Sequence, residues 1–318
     1  MLYNKSRSGQ PDKELFERPT AEYSGAPFWG WNCAVTPEII KKQIGIFKEM
    51  GFGGYHIHPR TGMEVPYMSD EYLSLIRFAV DESKRNGTLA WLYDEDRWPS
   101  GFAGGLVTSE PKYRQRALRL TKTPLAEVVL SKEEAVKSGK AFLFGAYDVS
   151  LNDSGELSGY KRIAPSDEAD GEKWYAYCEC TAVRGWFNGQ TYVDTLSKDA
   201  IDKFIEITHE RYKSAVGQEF SKTVPAIFTD EPQLVNKGCF AFAKSGSDVM
   251  IPWTPELDTM YFAEYGESIG DTCLSFSGRE PAAGRPKRDI DTTTSCARPS
   301  QKRSPTTAAT GAKKTDSR

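Results

Sequence analysis

Three carboxylates and an arginine stand together at Asp94, Glu95, Asp96 and Arg97, between the apolar run Leu89 to Tyr93 and the turn Trp98, Pro99, Ser100, Gly101. An apolar run of that length reads as a parallel strand buried on both faces. Ligands of α/β folds sit beyond the carboxyl ends of such strands. Acids placed there can donate or accept protons and hold polar ligand groups. For any one of them, capping the next helix or facing water is the plainer reading. Alternation along a strand puts Asp94 and Asp96 on one face and Glu95 on the other, so the two aspartates are the expected pair.

Further runs end in the same manner. Val224 to Gln233 is a short apolar strand finishing in Asp230 and Glu231, and Pro232 bars its regular continuation. Gly53 to Pro59 carries His56 and His58, which alternation places on one face. Ala26 to Asn32 brings Trp29, Trp31 and Asn32. Flat aromatic faces beside carboxylates and amides suit a sugar ring, whose C–H faces stack while its hydroxyls take hydrogen bonds. Core packing is the competing reading for the two tryptophans and is expected to hold for one of them.

The segments between these strands are helical in pattern. Pro37 to Met50 has apolar residues at Ile40, Ile44 and Phe47, with Thr36 as N-cap and Gly51 beyond its end. Ser69 to Asn86 repeats the pattern through Leu73, Ile76, Phe78 and Val80 and stops at Gly87. Ser197 to Val216 is expected as a third helix, with His209 inside it as a surface or packing residue. Alternating strands and helices are the order of a parallel α/β fold. That order lapses between about Tyr113 and Trp186. There, Arg116 to Thr121, Ala141 to Val149 and Trp174 to Val183 read as strands separated by turn-rich polar stretches, hence a small antiparallel β insertion. The expected divisions are 1–112, the insertion 113–186, a continuation of the parallel fold over 187–272, and a tail over 273–318.

Composition excludes some classes. With 41 basic and 44 acidic residues the net charge is -3, which provides no field for nucleic acid. No stretch approaches the roughly 20 apolar residues that cross a bilayer, and the first residues lack an apolar leader. A cytoplasmic protein is expected. The six cysteines include only the close pair Cys178 and Cys180, an ordinary same-face spacing on a strand, so neither a zinc site nor a disulfide framework follows.

Together, Pro27 to Asn32, Trp98 to Gly101 with the carboxylates before it, and Phe228 to Pro232 resemble the barrel of bacterial glycoside hydrolases related to the family 106 α-L-rhamnosidases. The resemblance spans about residues 20 to 270. It implies a (β/α)8 TIM barrel, here incomplete at about its first four βα units, an acidic pair acting on a glycosidic bond, and a calcium ion near the site. It also makes Glu231 the candidate general acid. Glycoside cleavage needs one protonated carboxyl and a second carboxylate as base or nucleophile; Asp230 stands beside the acid, and the partner is otherwise expected among Asp94, Glu95 and Asp96 or, by preference, on a later barrel strand. A raised pKa for the acid would come from a low-dielectric wall and from a neighbouring charge such as Asp230. Asp94, Glu95, Asp96, Arg97, Trp98, His56, His58, Trp29, Trp31 and Asn32 are the expected substrate-binding residues.

After Phe276 aromatic residues cease and aliphatic ones nearly vanish, leaving an aperiodic string. A disordered tail is the plain reading. A reading-frame slip near residues 271 to 273 is the sharper one, since the shifted triplets from Pro299 onward can spell an amphipathic helix; a half-barrel with an open parallel edge is then expected to be a poorly stable, inactive fragment, and the glycosidase function to belong to the intact form. Two other functions fit the motifs. A noncatalytic carbohydrate-binding protein would keep the same rim for recognition. A metal-dependent hydrolase of the amidohydrolase type would start its metal site at His56 and His58, although the chain's other histidine, His209, falls in a helix.

Overall fold

The computed structural model describes residues 10, 12–125, 130–153, 157–238 and 246–271 of the 318. The tail at 273–318, with its expected frame slip, lies outside the described residues.

One layer is a parallel sheet of β1 (Phe28–Trp31), β2 (Gly54–Pro59), β3 (Leu89–Tyr93) and β8 (Ile227–Phe228), in that spatial order. It is open: among the described residues no strand pairs with the outer edge of β1 or of β8, and no closed barrel forms. The helices α2 (Pro37–Glu49) and α3 (Asp70–Asn86) connect the first three strands. Their ends follow the expected chemistry. Thr36 and Ser69 accept N-cap hydrogen bonds from Ile39 and Tyr72, and Gly87 closes α3 with φ of 68°. Ile40 and Ile44 of α2 and Leu73, Ile76 and Val80 of α3 are buried against the sheet.

The strands alternate as expected, but Trp29 and Trp31 turn to the helix side. Trp29 packs edge-on against Phe47 and Tyr55, and Trp31 against Tyr72. Both are core residues, which corrects their expected place on the rim. Asn32 follows β1 and is exposed. The third helix is also corrected: it is two, α5 (Lys198–Ile207) and α6 (His209–Val216). They part at Thr208, whose hydroxyl donates back to the Phe204 carbonyl at 2.7 Å, a bond that bends helices.

The other layer is antiparallel: β4 (Arg116–Thr121), β5 (Phe142–Leu151), β6 (Leu157–Ile163), β7 (Glu172–Cys180) and β9 (Val249–Trp253), in the order β6, β5, β7, β4, β9. It has its own core, centred on Leu118, Leu120, Tyr147, Trp174, Ile251 and Trp253 and covered by α7 (Leu257–Tyr265). Residues 249–265 therefore belong with this layer, whereas the sequence reading confined it to 113–186. A third small cluster packs Phe102, Ala103 and Val107 from the loop after β3 on Tyr192, Val193 and Phe204.

The closest backbone approach within the parallel sheet is at Gly54, where a Cβ would lie 2.2 Å from the Leu89 carbonyl oxygen and 2.7 Å from the Trp91 ring. Gly54→Ala is expected to cost about 2 kcal/mol or more through forced separation of β2 and β3, measured by urea unfolding followed by circular dichroism. An unchanged midpoint would refute so close a pairing.

Candidate functional site

At the carboxyl edge of β3 the acidic cluster divides into three separate tasks. Glu95 is fully buried beneath the loop that follows. Its Oε2 accepts from the backbone N–H groups of Gly101, Phe102 and Ala103, and its Oε1 from those of Asp96 and Gly104. The loop needs this centre because Gly101, Ala103, Gly104 and Gly105 have positive φ, which turns successive N–H groups inward. Burial pushes the pKa of Glu95 up, and Asp96 adds to that push. The N–H groups oppose it, because they donate to the carboxylate and none can accept a proton. Glu95 organises the loop and has no oxygen left for a substrate.

Asp94 is also fully buried, on the helix side of the sheet. It accepts from Ser100 Oγ and from Thr229 Oγ1, each at 2.6 Å, and its Oδ2 lies 3.6 Å from His209 Nε2. Burial raises the pKa of Asp94, against the pull of those hydroxyls and of His209. His209 is in turn pushed down by burial and drawn up by Asp94. Ser100 carries the cluster onward: its Oγ accepts from the Asp230 N–H at 2.9 Å, and its own N–H donates to the Asp230 carbonyl at 2.8 Å. Tyr192 donates to the Ser100 carbonyl. Asp96 binds Arg97 through Nε and Nη2, the latter at 2.7 Å, so the two side chains neutralise each other. The expected pair of Asp94 and Asp96 shares no partner.

The other face of the sheet is aromatic. His56 stacks on Trp91 with ring centroids 4.9 Å apart, and His58 stacks on Tyr93 at 4.2 Å and faces Phe28 at 3.4 Å. Phe228 closes this group from β8. Burial, helped by Arg60 and His56, pulls the pKa of His58 down to about 3. Asp230 reaches the same face, its Oδ2 at 3.5 Å from the Tyr93 hydroxyl. Burial and Asp230 together raise the pKa of that phenol.

Glu231 is exposed and has φ of 38°, a left-handed conformation rare outside glycine. Its Oε2 accepts from Trp98 Nε1 at 3.0 Å. Of the low-dielectric wall expected around it, the structure supplies this indole. Trp98 is itself exposed, and its carbonyl accepts from Nε1 of Trp186 at 2.7 Å, which brings a second exposed tryptophan to this edge from the antiparallel side. Sequence reasoning missed Trp186 and Arg60, and it expected His209 as a surface or packing residue without its approach to Asp94. An exposed tryptophan in the turn Gly185 to Gly189 was a signal for the first. His209 depends on the helix break at Thr208, which periodicity does not show.

The resemblance to rhamnosidases implies calcium, which takes six to eight oxygen ligands. Among the described residues no three Asp, Glu, His or Cys side chains converge as a metal site. Asp94 and Glu95 are held by protein donors, Asp96 by Arg97, and His56 and His58 by ring stacking. The described residues do not fit calcium, nor the metal centre of an amidohydrolase. No described helix is long and apolar enough to cross a membrane.

Glu95→Gln places an amide among N–H donors and is expected to cost about 3 kcal/mol, read by urea unfolding, with faster proteolysis in the loop 96–105. His58 gives a pH dependence. Its folded pKa of about 3 lies below the usual 6.5, so between these values the unfolded chain binds the extra proton. Stability from this residue is complete above pH 6.5 and is lost as pH falls, by up to about 1.4 kcal/mol per unit. Unfolding at pH 7, 5.5 and 4 should show His58→Phe losing less stability than the parent on acidification; equal losses would refute it.

No protein-family model matches the chain, and no curated protein matches it. Among solved structures, a rhamnosidase from Novosphingobium sp. PP1Y is similar, with a TM-score of 0.50 and 11% identity over 85% of this chain. The chain spans 43% of the length of that protein. At this identity the likeness is one of fold alone: this mixed α/β chain, with one parallel and one antiparallel sheet, is folded like part of that rhamnosidase.

Proposed function

We propose that the carboxyl edge of the parallel sheet binds a carbohydrate and hydrolyses its glycosidic bond, with Glu231 as general acid and Asp230 as second carboxylate. The observation that carries this reading is the placement of Glu231 beside Asp230, bonded to the indole of Trp98, with Trp186 attached behind it. Two exposed indoles next to a carboxylate can stack a sugar ring while the acid reaches its glycosidic oxygen. Asp94, Glu95 and Asp96 are fully engaged elsewhere, so within this acidic cluster of the described residues Asp230 is the one to act as base or nucleophile. The likeness to a rhamnosidase supports reading β1, β2, β3 and β8 as the first four strands of a (β/α)8 barrel related to family 106. It also makes an α-L-rhamnoside the first substrate to try.

A general acid matters most when the leaving group is a poor one. Glu231→Gln should lower kcat/KM on methyl α-L-rhamnoside by about 10²- to 10⁴-fold. On the nitrophenyl rhamnoside, whose leaving group needs no proton, the loss should be much smaller. Equal losses on both substrates, or none, would remove Glu231 from the acid role. Binding without hydrolysis by the parent chain would favour a noncatalytic carbohydrate-binding protein.

A further inference from the structure

Arg60 directly follows β2, and its aliphatic stem lies over Gly30, where a Cβ would come 3.6 Å from Arg60 Cγ. Its guanidinium carbon sits 4.6 Å from the centroid of the Phe28 ring and 5.9 Å from that of Tyr93. Arg85, Arg97, Arg119 and Arg211 each pair with a carboxylate. Arg60 pairs with none among the described residues, although Asp230 stands at the hydroxyl of the same Tyr93 ring. The ring thus separates a cation over its face from an acid at its edge. Below it, His58 is buried, its Nδ1 has no hydrogen-bond partner, and its low pKa keeps the imidazole uncharged. A guanidinium held by aromatic faces keeps its planar fork of donors free for a bidentate oxyanion.

We infer that Arg60 is an anion-recognising residue of the carbohydrate site, and that the sugar bound between Arg60 and Asp230, against the exposed rings of Phe28 and Phe228 that flank the buried Tyr93, is an acidic one, with a carboxylate against the guanidinium. This rests on the carbohydrate reading above and adds the substrate class. The carboxylate would take the fork of Arg60, and a ring hydroxyl would donate to Asp230 on the other side of the phenol.

Calorimetric titration of the full chain with D-galacturonate and D-galactose compares ligands that differ at one carbon. Galacturonate should bind roughly tenfold or more tightly, and its advantage should shrink at high salt. Arg60→Gln should abolish the difference and leave galactose binding in place, while Arg60→Lys should keep part of it. D-galactose 6-sulfate separates the sources of charge: binding no tighter than galactose supports a planar carboxylate ligand, and binding tighter than galacturonate overturns it. Equal affinity of the parent chain for galacturonate and galactose overturns the role of Arg60 and leaves the carbohydrate reading standing. If none of the three sugars binds, the acidic-sugar proposal falls, while the carbohydrate reading stands or falls separately on the rhamnoside hydrolysis described above. The parent-chain comparison needs no variant, so it holds even if Arg60→Gln unfolds.

Discussion

Five backbone N–H groups converge on the buried carboxylate of Glu95, and the shape of the candidate site follows from that convergence. A loop with four consecutive or near-consecutive positive φ values cannot satisfy its own N–H groups through regular structure, and leaving them buried without partners would be costly. One carboxylate answers for five of them, from Asp96 and from Gly101 to Gly104, while Gly105 donates to the Phe102 carbonyl. With the loop fixed, Ser100 meets both Asp94 and the backbone of Asp230, and Trp98 reaches Glu231. Removing the charge from Glu95 would loosen groups that it never touches.

The sheet sorts charge by face. On the helix side Asp94 is matched by hydroxyls and by His209 and is closed to solvent. On the other side the strands present rings, one unpaired guanidinium and the partly exposed Asp230. The first arrangement fixes position. The second leaves unlike charges apart around one aromatic cluster, with Tyr93 and His58 buried within it and Phe28 and Phe228 exposed at its border.

Much of this was legible in the chain. Apolar spacing with Thr36, Ser69 and Gly87 located α2 and α3, and apolar runs located the four parallel strands. Alternation groups Trp29 with Trp31 and His56 with His58, yet a period of two does not say which side faces the helices, so core packing, expected for one tryptophan, holds for both. β6 and β9 were not anticipated, because each is an edge strand with the composition edges tolerate: polar residues in β6 and Pro252 in β9. The use of Glu95 was hidden for another reason. Its partners are backbone groups, which carry no letter in the sequence.

The path of the chain through its layers has a consequence of its own. It builds three parallel strands, crosses to the antiparallel layer for four, returns for β8, and crosses again for β9. Neither sheet is therefore a contiguous segment. A cut between them does not yield two modules, and a gene fusion that transplants residues 113–186 alone would carry away a sheet without β9, one of its edges. The two layers are inherited, expressed and lost together.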